Sequence, residues 1–288
     1  MVKTTVGDLL DRYRLEQTKE IGRSKADCLK QIERRIGERP LSEVNIDLLV
    51  DYARKRGAGP VTWGMEFGYL GKILRVARAV WGLPIQGDPT NEARTALAML
   101  GMAGRSRERT RRSTQEELDQ LCEYFLSKRP HQIIPMWDII PFAVATAMRL
   151  GEIVSLRWDD IDEKNKTVII RDRKDPQEKK GNNQIVTLLP AAWEIAQRQP
   201  KPEKEPRIFP YSASTIPSIF PRACQALCID DLRLHDLRHE GTRRLFEMGY
   251  QIQEVAVFTG HRNWNQLRRY TQIKPASLHR PGLPPVPA

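Results

Sequence analysis

The chain has 288 residues, a length that at roughly 150 residues per domain allows two domains with a core each rather than one small one. Lysine and arginine number 47 against 36 aspartate and glutamate, a net charge of +11, so the summed field favours a polyanion as partner, nucleic acid first. A mean hydropathy of −0.53, with no run near the roughly 18 apolar residues of a spanning helix, argues against a membrane role.

The opening stretch, MVKTTVGDLLDRYRLEQ, reaches acidic residues early and has neither an apolar segment nor a small-residue cleavage site, so it reads as fold and not as a targeting signal. Val6, Leu9, Leu10 and Tyr13 recur at the spacing of one buried helical stripe and predict an opening helix. Further helical patterns run over 24–36, 46–56 and 62–81, with a shorter one near 91–100, and nothing before residue 104 reads as a strand. The turns at 82–84 and 87–90 separate the last two helices without marking a domain break.

Residues 105–112, RSRERTRR, hold Arg105, Arg107, Arg109, Arg111 and Arg112 against one glutamate and no apolar residue. This is a basic interdomain linker, and in a basic protein its expected contact is a phosphate backbone. Ser113 with Glu116 forms a capping box ahead of Leu118, Leu121, Cys122 and Phe125, so a second domain begins with a helix near 114. WDIIPFAVATAM, 137–148, is an apolar helix buried on most sides, with Pro141 as a kink or break. The β-branched runs at 167–171 and 185–189 then predict a hairpin with a long polar loop. Helical patterns return at 190–198, 213–227, 235–248, 251–259 and 264–272, and the proline-rich end at 281–288 cannot be helical. The fold class is therefore mainly α with a small antiparallel hairpin or sheet. Cysteines at 28, 122, 224 and 228 are too few and irregular for a disulfide framework, which points to a reducing, cytoplasmic setting.

Two features carry chemistry. His235 and Arg238 share a helix face, where an imidazole and a guanidinium could grip one phosphate. Arg149, at the end of an apolar helix, needs an anion, and either Glu152 three residues on or a substrate phosphate would supply it. Cys224, Cys228, His235 and His239 offer zinc-type ligands, but only six residues separate the two pairs and both cysteines sit in a helical pattern, so core cysteines are the better reading.

Arg149 with Glu152, a lysine in the hairpin loop, His235-x-x-Arg238-His239, Gly260-His261 and Tyr270 nine residues later resemble, in order and spacing, the tyrosine recombinases, or phage integrase family. The motifs cover about residues 113–275. The resemblance implies a helical core-binding domain at 1–104, the linker at 105–112, a mixed α+β catalytic domain at 113–273 and a tail at 274–288, the two domains closing as a clamp on duplex DNA. It implies Tyr270 as the nucleophile forming a 3′-phosphotyrosine, with Arg149, Arg238 and His261 on the nonbridging oxygens. His235 would be general base or phosphate ligand, Lys174 the general acid, and Glu152 and His239 would orient those groups. Neither ATP nor a metal is required, so no cofactor is expected. Integration or excision of a mobile element is the implied function, with type IB topoisomerase chemistry or a non-catalytic accessory protein as alternatives. The implied partners are double-stranded DNA and a homotetramer on synapsed DNA, with room for a DNA-bending accessory protein. The chain departs from the family pattern at Ala147 in place of glycine, Val186-Thr187-Leu188 in place of VPL, Gly241 in place of alanine, and Gln272 in place of histidine.

Overall fold

A computed structural model describes residues 4–104, 109, 111–128, 131, 133–174 and 181–271. The chain divides into two compact units, 1–109 and 110–288.

The first unit is helical: α1 (Val6–Glu16), α2 (Arg23–Ile36), α3 (Ile46–Lys55), α4 (Pro60–Trp81) and α5 (Pro89–Met99). Thr5 and Asp8 close a reciprocal cap on α1, and Val6, Leu9, Leu10 and Tyr13 are buried as their spacing requires. They join Leu29, Ile32, Leu49, Phe67 and Leu70 in one core.

The second unit opens with α6 (Gln115–Ser127) and α7 (Met136–Thr146). The cap on α6 is Thr114 with Glu117, one position later than the Ser113 and Glu116 pair read from the sequence, because Ser113 is turned inward and buried. Pro141 lies inside α7 and does not end it. The short α8 (Leu150–Ile153) and a 3₁₀ turn follow, then β1 (Ile161–Asp162), β2 (Thr167–Ile170) and β3 (Gln184–Thr187). These form an antiparallel sheet in the order β1-β2-β3, with Val168 opposite both Ile161 and Val186. The expected hairpin is thus β2 and β3; β1, two residues long, carries too little alternation to be read from sequence. Val168, Ile170 and Val186 face the core while Ile185 faces solvent.

The unit is completed by α9 (Pro190–Gln197), α10 (Ile216–Ala226), α11 (Leu234–Glu247) and α12 (Ile252–Thr259). The helix expected over 264–272 is instead two 3₁₀ turns, Trp264–Gln266 and Arg268–Tyr270. Among the described residues of that stretch only Leu267 is fully buried and Trp264 is half exposed, so no apolar stripe sustains an α-helix there. Residues 272–288, which include the tail, lie outside the described residues, as do 175–180 of the hairpin loop.

Candidate active site

Arg149 is the N-cap of α8, and its side chain donates from Nη1 to Glu152 Oε1 at 2.7 Å while its backbone N–H donates to Glu152 Oε2 at 3.1 Å. The i, i+3 pairing open in the sequence is therefore made. Glu152 is nonetheless shared: the buried Arg173 donates to both of its oxygens at 3.4 Å. Burial pushes the Glu152 carboxyl up, and Arg173 and Arg149 outweigh it, holding the group ionised below its ordinary value.

Arg238, on the second turn of α11, is buried with its fork on two carbonyls, Nη1 to Ala147 O at 2.6 Å and Nη2 to Thr259 O at 2.7 Å. Burial first, then Arg149, lowers its pKa to about 10, so it keeps its charge at neutral pH. Nη2 also lies 3.5 Å from His261 Nε2. His261 Nδ1 is 2.7 Å from the Thr259 hydroxyl, which itself donates to Val255 O, so Nδ1 carries the proton and Nε2 presents a lone pair. Burial, with Arg238 and Arg149 adding to it, pushes His261 down to about 4, so it is neutral at pH 7. Arg149 and Arg173 thus contact one carboxylate that Arg238 feels electrostatically, so these three guanidinium groups exceed Glu152 by two positive charges before Lys174 and the buried Asp236 beside the histidines are counted. Lys174 is exposed and acts electrostatically on His235, as Arg149 and Arg238 do.

Tyr270 ends the last 3₁₀ turn, its ring stacked on Phe246 with centroids 6.3 Å apart. Its hydroxyl bonds to Nδ1 of His239. The sequence reading had His239 orienting the arginines and the other histidine; the structure places it on the tyrosine. Partial burial, with His235 and Arg269 adding to it, lowers His239 to about 4, so its Nδ1 accepts from the phenol. His235 lies edge-on to His239 at 4.9 Å. At the Tyr270 phenol burial outweighs Arg269, Arg238 and Arg243, and the pKa is raised.

The local backbone bears on two departures from the family pattern and explains the second. Ala147, at the glycine position, closes α7 in the left-handed region at φ 51°, and its carbonyl holds Arg238. At Gly241 a Cβ would lie 2.2 Å from Val144 O and 3.2 Å from Ala147 Cα, so α11 approaches α7 more closely than an alanine allows.

The linker arginines divide. Arg105 and Arg107 lie outside the described residues. Arg111 pairs with Glu117 and donates to Asp230 O at 3.2 Å. Arg112 holds Glu240 at 3.0 Å and Glu247 at 2.7 Å. Both forks are filled by carboxylates or carbonyls of their own unit, so a phosphate would have to displace them. Cys224 is buried in the core and Cys228 exposed, and no group of three or more metal-binding side chains is assembled among the described residues. Sequence reasoning missed Arg173. Its signal, an arginine directly before the hairpin lysine, is indistinguishable in composition from the other basic residues of that loop.

Fold and site together define a mainly helical chain whose second unit sets a small antiparallel sheet, a doubly positive cluster and a tyrosine side by side. The phage integrase family profile matches residues 111–277, and the chain belongs to that family. It is 33% identical over 211 residues to the shufflon-specific DNA recombinase of Escherichia coli, covering 73% of this chain and 50% of that protein. It is 27% identical over 164 residues to the integrase of Salmonella phage P22, covering 50% of this chain and 41% of that protein. The chain spans about half or less of the length of these two relatives. Its fold is like that of the Tn1549 transposon integrase in complex with a circular intermediate DNA, with a TM-score of 0.73 at 15% identity over 93% of this chain and 95% of that one. It is also like that of a lambda integrase tetramer bound to a Holliday junction, with a TM-score of 0.71 at 18% identity over 93% and 78%.

Proposed function

We propose that the protein is a site-specific DNA recombinase that cuts and rejoins duplex DNA through a 3′-phosphotyrosine and so integrates or excises a mobile element. The observation that carries this reading is the pairing of a tyrosine with a preorganised surplus of two positive charges on Arg149, Arg173 and Arg238. A phosphodiester carries one negative charge and gains nearly another in its pentacoordinate transition state. Guanidinium forks already fixed on carbonyls and a carboxylate meet that charge without reorganising.

In the proposed reaction the Tyr270 oxygen forms a bond to phosphorus as the bond from phosphorus to the 5′-oxygen breaks. The phenol proton passes to His239, whose ring nitrogen already faces it, and His235 serves as a phosphate ligand. Lys174 gives its proton to the leaving 5′-oxygen. Arg149 and Arg238 donate to the nonbridging oxygens, and His261 joins them as a donor once its Nε2 takes up a proton beside the bound phosphate. Rejoining reverses the steps with a different 5′-hydroxyl, so the energy of the phosphodiester is kept in the tyrosyl link.

The named relatives are recombinases and integrases, which favours recombination over DNA relaxation or an accessory role. Residues 1–104 serve as the core-binding domain and residues 113–273 as the catalytic one, joined by the arginine-rich linker at 105–112. Four protomers act together, since two duplexes must be cut on both strands and each chain brings one nucleophilic tyrosine; lambda integrase has been solved as a tetramer on a Holliday junction. A DNA-bending protein is a further partner. The reducing setting read from the cysteines fits a cytoplasmic enzyme, and no described helix is long and apolar enough to cross a membrane. The test is incubation with the DNA flanking the protein's own gene, scoring covalent adducts and the positions cut. Adducts that map to one short sequence support the reading. DNA bound specifically with no adduct formed points to an accessory protein.

A further inference from the structure

The bulkiest fully buried side chain among the described residues is a charged one, Arg173, at 1% exposure. Burying a cation costs several kcal/mol unless every donor is met, and an apolar side chain of similar volume would often stabilise as well. Here the donors are spent in three directions. Nη1 reaches Val257 O at 3.1 Å and Gln184 Oε1 at 3.0 Å, Nη2 reaches Phe258 O at 2.6 Å, and the Glu152 carboxylate lies at 3.4 Å. Gly260, at φ 68°, leaves the space: a Cβ there would lie 2.5 Å from Arg173 Nε.

The backbone of Arg173 is held as firmly. Its N–H donates to Asn182 O at 2.8 Å and its carbonyl accepts from Asn182 Nδ2 at 2.7 Å. Asp172 adds a bond from its N–H to Asn183 Oδ1 and accepts the Gly181 N–H. The two sides of the hairpin loop are thus cross-linked into a neck just past β2, and Lys174 is the next residue out.

We propose that Arg173 is a positioning residue for catalysis. It fixes the neck from which Lys174 extends and keys it, through Glu152, to Arg149 and, through the Val257 and Phe258 carbonyls, to the end of α12 that leads to His261. The inference rests on Lys174 being the general acid. It assigns to the buried cation the task of aiming an otherwise exposed lysine at the leaving 5′-oxygen of the phosphate whose nonbridging oxygens the arginines bind.

The test is single-turnover cleavage by the full chain of a duplex on which it forms its adduct, made with either an ordinary scissile phosphate or a bridging 5′-sulfur, a leaving group that needs no proton. Arg173→Lys keeps the charge but cannot reach every acceptor, and it is expected to slow the oxygen substrate about a hundredfold. Most of that loss should vanish on the sulfur substrate, as it should for Lys174→Ala, and the double variant should be no slower than Lys174→Ala alone. Gln184→Met removes one acceptor and should show the same pattern at smaller size if Arg173→Lys does not fold. Equal slowing of both substrates, or additive losses in the double variant, would mean that Arg173 acts on the arginine cluster and not through Lys174, and would overturn the proposal alone. Absence of sulfur rescue in Lys174→Ala would overturn the acid assignment and the proposal with it.

Discussion

At the level of single residues, the site works through neutral imidazoles set among permanent cations. His239 and His261 are held near pKa 4, against about 6.5 in an unfolded chain. The unfolded chain therefore binds more protons than the folded one between those values, and stability falls as pH drops from about 6.5 toward 4, then levels. Denaturant midpoints at pH 7.5, 6 and 5 should decline in that order, and His239→Gln should shrink the decline; a midpoint flat across the range would contradict the folded-state protonation. Tyr270→Phe keeps the ring on Phe246 and removes the hydroxyl, so the variant should bind DNA with affinity near wild type and form no adduct. Adduct yields near wild type would move the nucleophile elsewhere. The sequence makes the Arg149 and Glu152 pair legible because three residues on a helix is a contact distance. It could not show Arg173 or the destination of the Tyr270 hydroxyl, because both depend on contacts across 21 and 31 residues.

At the level of elements, the helices were legible wherever an apolar stripe decides burial, as in α1 and α6, and illegible where capping and tertiary contact decide, as after α12. The crossing of α7 and α11 matters most, because it delivers Arg238 to the Ala147 carbonyl. Relative to the family pattern, glycine and alanine have exchanged places across this crossing: the methyl sits on Ala147 and the bare position is Gly241. Gly241→Ala would drive a methyl into the Val144 carbonyl, backbone that cannot rotate away. It should destabilise by about 1–3 kcal/mol, less a contribution of up to about 1 kcal/mol from better helix propensity. Ala147→Gly relieves the left-handed strain at φ 51°, and in the double variant α7 can yield to the new methyl. Urea denaturation of both single variants and the double should show a favourable coupling of roughly 0.5 kcal/mol or more; strict additivity would refute the exchange.

At the level of the whole molecule, each unit has its own core, and every residue assigned to the chemistry, from Arg149 to Tyr270, lies in 110–288. Chemistry and grip should therefore separate. Residues 110–288 expressed alone should unfold in one cooperative transition and still form the Tyr270 adduct when DNA is supplied at high concentration. The fragment loses whatever phosphate contacts residues 1–109 make, and duplex binding by a protein of net charge +11 is dominated by such contacts. Its affinity should fall at least about tenfold, and the slope of log K against log salt should become shallower by roughly 0.9 for each contact removed. Neutralising Arg111 and Arg112 in the full chain should act differently: their forks hold Glu117, Glu240 and Glu247, so the loss should appear first in stability and leave the salt slope nearly unchanged. A fragment that binds with the full chain's slope would mean that residues 1–109 touch no phosphate, and the clamp reading would fall while the catalytic assignment stood.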